Sequence, residues 1–85
     1  MKETVTILGA GSWGTALGMV LADNGHTVRL WGHEEDHVEE INREQANTRY
    51  LPGVELPKGI RAYYDLEEAL EGVEIIVFAV PTKAF

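Results

Sequence analysis

The amino-acid sequence predicts an α/β fold, a doubly wound parallel sheet of four strands in the order 3-2-1-4. Apolar strand-like runs alternate with helix-like segments along the chain, which indicates β-α-β units joined by right-handed crossovers. The last run, Glu74–Val80, is apolar almost throughout, as strands are when a parallel sheet is covered on both faces. Closely spaced glycines also stand where the first strand gives way to the first helix.

The first two predicted strands flank an amphipathic helix. Thr4–Ala10 is the first strand, and Ser12 is the predicted N-cap of the helix, because its hydroxyl can accept from a free N–H of the first turn. The helix ends at Asn24–Gly25, where glycine suits a left-handed cap, and His26–Trp31 is the second strand. The predicted apolar face of the helix consists of Trp13, Ala16, Leu17, Val20 and Leu21.

The second half of the chain continues with a polar helix over Glu34–Glu44, whose apolar stripe is only Val38 and Ile41. We expect that helix to lie mostly exposed. An irregular loop is predicted over Gln45–Gly59, which is rich in proline and glycine. The remaining predicted elements are a strand over Ile60–Tyr63, a short helix over Leu66–Glu71 capped by Asp65 and ended by Gly72, and the strand Glu74–Val80.

The glycines form a G-x-G-x-x-G pattern at a strand-to-helix turn, which is typical of Rossmann-type dinucleotide-binding domains. Gly9 permits the tight turn, Gly11 lets the backbone approach a pyrophosphate, and Gly14 lets the helix pack close to the sheet. The helix N-terminus offers free N–H groups to the phosphates, although a helix without a ligand can begin in the same way. We expect Val80–Thr82 to face this turn across the cofactor crevice.

The end of the second strand indicates which dinucleotide binds. In NAD-binding domains an acidic residue there, about 20 residues beyond the first glycines, usually holds the ribose 2′-hydroxyl. Here that position falls at Trp31–Gly32–His33, and Glu34 and Glu35 begin the next helix. A 2′-phosphate would meet no carboxylate on the strand, and His33 can donate a hydrogen bond to it, although the acidic residues that follow oppose this. We predict NADPH as the cofactor, with NADH tolerated.

Composition excludes several other classes of function. The formal net charge is −7 over 85 residues, which argues against nonspecific nucleic-acid binding because that needs a basic surface. The chain has no cysteine, hence no disulfide or thiol nucleophile. It shows no signal-peptide pattern and no run near the roughly 18 apolar residues of a membrane span. We expect a cytoplasmic protein.

The segment His33–His37 matches H-E-x-x-H, a zinc hydrolase pattern. That chemistry needs both histidines on one face of a formed helix, with a third ligand. His33 instead ends the second predicted strand, and the following helix is too polar for a buried site. We predict no metal site.

Four segments carry a family resemblance. They are Gly9-Ala-Gly-Ser-Trp-Gly-Thr-Ala16, Val28-Arg-Leu-Trp-Gly-His33, Asn47-Thr-Arg-Tyr-Leu-Pro-Gly53 with Leu56–Pro57, and Val77-Phe-Ala-Val-Pro81. Together they resemble the N-terminal domain of NAD(P)-dependent glycerol-3-phosphate dehydrogenases, over essentially all 85 residues. The loop from Asn47 to Gly53 is the most specific part, and we expect Arg49 within it to be a solvated charge.

The resemblance implies an oxidoreductase, since the family reduces dihydroxyacetone phosphate to sn-glycerol 3-phosphate for phospholipid synthesis. The family's catalytic lysines lie beyond this C-terminus, so we expect no catalytic residue and no turnover from this piece alone; Lys83 is expected to be solvated. The implied cofactor contacts are Ser12 and Trp13 at the pyrophosphate, His33 at the adenosine ribose or its 2′-phosphate, Tyr50 over the adenosine side, and Pro81 beside the nicotinamide.

Residues 1–85 are thus predicted to be the N-terminal part of one NAD(P)-binding domain, because the fourth strand is too apolar to go uncovered. The phosphorylated substrate would then bind only in the full-length parent. A homodimer that covers the same face is the structural alternative. Two other functions stay open: a stand-alone dinucleotide-binding module without catalysis, and a dehydrogenase of the 6-phosphogluconate or ketopantoate reductase type. The loop Tyr50–Gly53 argues against the last.

Overall fold

The computed structural model describes residues 2–79, which form a four-stranded parallel sheet in the order β3-β2-β1-β4 with helices in the connections. This confirms the predicted α/β fold and its strand order. The elements are β1 (Thr4–Leu8), α1 (Ser12–Asp23), β2 (Thr27–Trp31), α2 (Glu35–Glu44), β3 (Ile60–Tyr63), α3 (Leu66–Leu70) and β4 (Ile75–Phe78).

The core is centred on β1 and β2, the two inner strands of the sheet. Ile7 of β1 lies in register with Leu30 of β2, and both side chains are fully buried. Helix α1 packs on the face that these two residues share, with Gly18 facing both of them. A methyl group added at Gly18 would lie 3.2 Å from Val28 Cγ1, so the absence of a side chain there lets α1 lie close to the sheet.

The predicted apolar face of α1 is wrong in part. Trp13 and Val20 are 64% and 57% exposed, and Ala16 is exposed as well. Leu17 and Leu21 do pack against the core, but only partly buried. The fully buried positions of α1 are Gly14, Thr15 and Gly18. A helix that approaches a sheet this closely has room for small residues at the contact, and the bulky ones are displaced to its flanks and outer side.

The predicted boundaries of β1, β2, α2, α3 and β4 each differ from the observed ones by a residue or two, and one predicted cap is wrong. Helix α1 does contain Ser12, but as its first residue; the N-cap is Gly11, in an extended conformation (φ −81°, ψ −169°), and no side chain caps this helix. The chain leaves β1 before Gly9, whose φ of +134° is unsuited to a strand. Glu34 is the N-cap of α2 and not part of it. The predicted cap at Asp65 is confirmed, since its Oδ1 accepts from the N–H of Glu67 at 2.9 Å.

Helix α3 covers the opposite face of the sheet and is attached to it through its last carbonyl groups. Arg29 of β2 donates from Nη1 to the carbonyl oxygens of Glu68 (3.0 Å), Ala69 (3.2 Å) and Glu71 (2.7 Å). The buried hydroxyl of Thr6 in β1 donates to the Ala69 carbonyl as well. These bonds satisfy acceptors that the end of a helix leaves free.

Strand β4 pairs with β1 on one side and stands at an edge of the sheet. Its side chains Ile75, Ile76 and Phe78 are 40%, 45% and 74% exposed. Residues 2–79 therefore leave this apolar strand largely uncovered, which agrees with the inference from the sequence that the chain does not supply its cover. In the same part of the chain, every helix is too short or too polar to cross a membrane.

Candidate functional site

A cleft of about 710 Å³ opens at the carboxyl ends of β1, β2 and β4. Ligands of open α/β sheets bind at this position, where the strand order reverses on either side of the first strand. The cleft is lined by residues 9–13 of the glycine-rich turn, residues 31–34 at the end of β2, His37, Tyr50, and residues 78 and 79 after β4.

Three glycines shape the turn. Gly9 holds the left-handed φ of +134°, and its N–H donates to the Trp31 carbonyl at 3.0 Å, which ties the turn to β2. A side chain at Gly14 would place its Cβ 2.3 Å from the Gly9 carbonyl oxygen, so only glycine lets α1 start directly behind the turn. A Cβ at Gly11, which lines the cleft, would meet no atom of residues 2–79 within 4 Å apart from its chain neighbours.

The N-terminus of α1 makes this end of the cleft suited to an anion. The first N–H groups of a helix lack helical partners and carry the positive end of the helix dipole. No acidic residue occupies the first turn of α1, a helix that the structure describes throughout. The turn and the helix start together resemble the phosphate sites found in nucleotide-binding folds.

The wall of the cleft at the end of β2 carries both a histidine and a carboxylate. His33 and Glu34 are exposed and line the cleft side by side. The sequence interpretation placed Glu34 inside the following helix; it is instead the N-cap of α2 and one of the residues that line the cleft. Trp31 also lines the cleft there, and its Nε1 donates to the Tyr64 carbonyl at 2.9 Å.

A buried polar network lies behind the glycine-rich turn. Asn47 is fully buried, and its Nδ2 donates to the Ala10 carbonyl and to Thr15 Oγ1, each at 2.8 Å. Its Oδ1 lies 2.8 Å from Nε2 of His37, which is also buried. Sequence reasoning missed this network. A signal existed in His37, which precedes the apolar Ile41 by four residues and so shares the inward face of α2.

Two ion pairs at the surface hold the loop after α2 against that helix. Arg49 donates from Nε to Glu40 Oε1 at 3.1 Å and from Nη2 to Asp36 Oδ2 at 3.2 Å. The hydrogen bond from Arg49 lowers the pKa of Asp36 below its ordinary value, and the same bond raises the pKa of Arg49. Arg49 is therefore a solvent-exposed loop charge, as predicted, and it is paired with two carboxylates. The next residue, Tyr50, lies with its ring centroid 5.3 Å from that of His37.

The structure brings most of the sequence-predicted site residues together. Six of them line the cleft: Gly9, Gly11, Ser12, Trp13, His33 and Tyr50. Gly14 lies behind the turn, where it sets the approach of α1. Pro81 and Lys83 lie outside the described residues. Phe78, at the end of β4, lines the cleft as well; the sequence interpretation named it only within the family segment.

The H-E-x-x-H match does not form a metal site. His33 precedes the first residue of α2, and Nε2 of His37 is engaged with Asn47. Over residues 2–79 there is no group of three or more histidine, cysteine, aspartate or glutamate side chains placed to hold a metal ion.

Known proteins resemble the chain in sequence. The family model for the NAD-dependent glycerol-3-phosphate dehydrogenase N-terminus matches residues 4–85. Glycerol-3-phosphate dehydrogenase [NAD(P)+] of Geobacillus thermodenitrificans is 63% identical over 82 residues, which are 96% of this chain. The protein of that name from Streptococcus suis is 57% identical over 82 residues. The chain spans about a quarter of the length of these curated relatives, 24% in each case.

Solved structures show the same fold. The crystal structure of glycerol-3-phosphate dehydrogenase from Coxiella burnetii superposes with a TM-score of 0.90 at 53% identity, covering 95% of this chain and 25% of that one. The yeast enzyme from Saccharomyces cerevisiae gives a TM-score of 0.86 at 34% identity, covering 98% of this chain and 27% of that one. With the family model matched over residues 4–85, the chain belongs to the family of the NAD-dependent glycerol-3-phosphate dehydrogenase N-terminus.

Proposed function

We propose that the chain is the dinucleotide-binding portion of an NAD(P)-dependent glycerol-3-phosphate dehydrogenase. The observation that carries the proposal is the glycine-rich turn, which lies with the N-terminus of α1 at a cleft of about 710 Å³ where parallel strands end. In a longer parent protein, the bound cofactor supplies hydride for reduction of dihydroxyacetone phosphate to sn-glycerol 3-phosphate. A role in phospholipid synthesis and a location in the cytoplasm stay predictions from the sequence.

The residues of the cleft fit the parts of a dinucleotide in order. The backbone of Gly11 and Ser12 supports the pyrophosphate, since free N–H groups of the helix start lie there. His33 and Tyr50 form the wall for the adenosine half. Phe78 offers an apolar surface to the nicotinamide half at the end of β4, and Pro81 is proposed for the same half from the sequence alone.

A fluorescence titration of the 85-residue chain with NADPH and with NADH tests this binding. Both tryptophans of the chain, Trp13 and Trp31, line the cleft, so energy transfer to a bound nicotinamide should quench their emission. We expect saturable quenching for the wild type. Binding should be lost in Gly11→Val, because the valine side chain would occupy the open space that the pyrophosphate needs. The Cβ of that valine would meet no atom of residues 2–79 within 4 Å apart from its chain neighbours, so we expect the fold to be kept.

The control is Ala16→Val, which also introduces a valine, but on the exposed side of α1 outside the cleft. Circular dichroism establishes that all three proteins are folded. Equal quenching of Gly11→Val and wild type, or no quenching of folded wild type, contradicts the proposed binding site.

We propose NADPH as the preferred cofactor, with NADH tolerated. No carboxylate ends β2, and His33 stands in the cleft as a hydrogen-bond donor for a 2′-phosphate. Glu34 beside it acts in the opposite direction, because its carboxylate repels that phosphate. His33→Ala should therefore weaken NADPH binding more than NADH binding, and Glu34→Gln should strengthen NADPH binding selectively. Equal effects on the two cofactors contradict the assignment.

Catalysis is proposed for the parent protein and not for this piece. The described residues contain the cofactor cleft but no second domain to hold the phosphorylated substrate. Oxidation of NADPH by the purified 85-residue chain in the presence of dihydroxyacetone phosphate would contradict this. Association of two copies through the exposed face of β4 stays a prediction, which sedimentation of the same sample measures.

A further inference from the structure

The carboxamide of Asn47 has a single orientation consistent with its neighbours. The Ala10 carbonyl can only accept a hydrogen bond, so the atom facing it at 2.8 Å must be the Nδ2 donor. Oδ1 then faces His37, and Nε2 of that ring must carry the hydrogen that it donates. Both N–H groups of the amide are used, one on Ala10 and one on Thr15. The side chain is fully buried.

The bond to Ala10 also orients a donor on the opposite side of the same peptide unit. The Ala10 carbonyl and the Gly11 N–H belong to one peptide, and no peptide bond between residues 2 and 79 is cis. In a planar trans peptide the C=O and the N–H point in opposite directions. Asn47 holds the carbonyl from the interior and thereby turns the Gly11 N–H away from itself. Gly11 lies at the surface of the cleft.

The turn needs this hydrogen bond because steric clashes alone do not prevent the Ala10–Gly11 peptide from reversing. A peptide unit reverses when ψ of the residue before it and φ of the residue after it change together. The residue after it is Gly11, which adopts positive φ at no steric cost. The same missing side chain that leaves room for a ligand therefore also permits the reversed peptide, in which the carbonyl oxygen would face the ligand.

We propose that Asn47 is a positioning residue that holds the Ala10–Gly11 peptide with its N–H directed at the phosphates of a bound dinucleotide. His37 fixes the orientation of the Asn47 carboxamide by donating to its Oδ1. The inference rests on the proposed function, since it assigns a role within the same cleft. It adds a residue that does not line the cleft and acts on the ligand through the backbone.

The variant that tests the role is Asn47→Asp, which keeps the shape of the side chain and removes both donors. A carboxylate oxygen then faces the Ala10 carbonyl, and the peptide is released. We expect the Kd values for NADPH and NADH each to rise about tenfold, the effect of losing one hydrogen bond to a charged group. Asn47→Ser, which stays neutral and is too short to reach Ala10, should give the same direction of change.

The matched control is Asn42→Asp. Asn42 of α2 donates from Nδ2 to the carbonyl of Ala62 in β3 at 2.9 Å and accepts from the Ala62 N–H at 2.8 Å. Neither residue lines the cleft. The variant loses a bond of the same chemistry, so it measures the effect of a weakened fold alone. We expect its Kd values to equal those of the wild type. Equal Kd changes in Asn42→Asp and Asn47→Asp would overturn the proposal.

A second readout needs no ligand. Reversal of the peptide changes ψ of Ala10, and with it the distance between the Ala10 Hα and the Gly11 amide proton that NMR measures. This distance should change in Asn47→Asp and Asn47→Ser and stay constant in Asn42→Asp. An unchanged distance in both Asn47 variants overturns the proposal. If wild type binds neither nucleotide, the proposed function fails, while the distance still reports whether Asn47 holds the peptide.

Discussion

Two sets of polar contacts hold the segment after α2 against the rest of the molecule, and they differ in environment. Asn47 makes neutral hydrogen bonds in the interior, to the glycine-rich turn and to α2. Arg49, two residues later, makes charged contacts to Asp36 and Glu40 on the surface of α2. Asn47 is fully buried, whereas the side chain of Asp36 is 77% exposed.

This difference in burial indicates which set of contacts fixes the geometry of the cleft. A buried donor or acceptor that loses its partner has no water to replace it, so the neutral contacts permit one arrangement only. An exposed ion pair exchanges its partner for water at little cost in free energy, and salt screens it. The charged contacts therefore bias the position of the loop, and the neutral ones determine it.

Removal of the buried side chain should have the largest effect on stability. Asn47→Ala leaves the Ala10 carbonyl, Thr15 Oγ1 and His37 Nε2 without their partner in the interior. With roughly 1 kcal/mol or more for each unsatisfied group, the free energy of unfolding should fall by about 3 kcal/mol. Urea denaturation followed by circular dichroism measures it. A loss below about 1 kcal/mol would mean that water enters and replaces the amide.

A single lost contact of the same network should have an intermediate effect. His37→Phe keeps an aromatic ring against Tyr50 and removes the bond to Asn47 Oδ1. We expect the free energy of unfolding to fall by about 1 to 2 kcal/mol, since one buried acceptor is left unpaired. His33→Phe, at an exposed histidine of the same chain, is the control and should be close to neutral. If His37→Phe lowers the free energy of unfolding no more than His33→Phe does, the hydrogen bond between His37 and Asn47 does not stabilise the fold.

The exposed pair should have the smallest effect, and it should depend on pH. Arg49 lowers the pKa of Asp36 from the ordinary value of 3.8. A lowered folded-state pKa means that the contribution is complete above the unfolded-state pKa and disappears as pH falls through the folded-state value. Arg49→Gln should therefore be slightly less stable than wild type at neutral pH, and the two should converge as pH falls below 3.8 and through the lowered folded-state pKa of Asp36.

Unfolding free energies from neutral to acidic pH, measured at low and at about 0.5 M salt, check this comparison. At neutral pH, high salt should remove the difference in unfolding free energy between the two proteins, as acid does. A difference that persists in both conditions would show that Arg49 acts through packing and not through its charge.

The backbone of the site could be predicted from the sequence, because its determinants are local. The spacing of Gly9, Gly11 and Gly14 predicts the geometry of the turn, and the right-handedness of crossover connections predicts the strand order. The burial of α1 could not be predicted in the same way. Trp13 and Val20 satisfy the helical period, but the distance between helix and sheet, which small residues such as Gly18 set, is a tertiary property.

The Asn47 network could not be predicted for a related reason. Its partners Thr15 and Ala10 lie 32 and 37 residues away along the chain, and no periodic pattern links such distant positions. The loop that contains Asn47 was predicted as irregular, and a buried amide in a loop has no local signature. The predicted N-cap at Ser12 is wrong by one residue, because the turn at Gly9 gives the capping conformation to Gly11.

The attachment of α3 to the sheet has a consequence for the order of folding. A helix of five residues is far below the dozen or so that form alone in water. Its terminal carbonyls find their donors on Arg29 and Thr6, in strands that precede it by some forty to sixty residues. We therefore expect α3 to form only on a sheet in which β1 and β2 are already paired. During synthesis both strands leave the ribosome before α3 does, so the acceptors emerge when their donors are already in place.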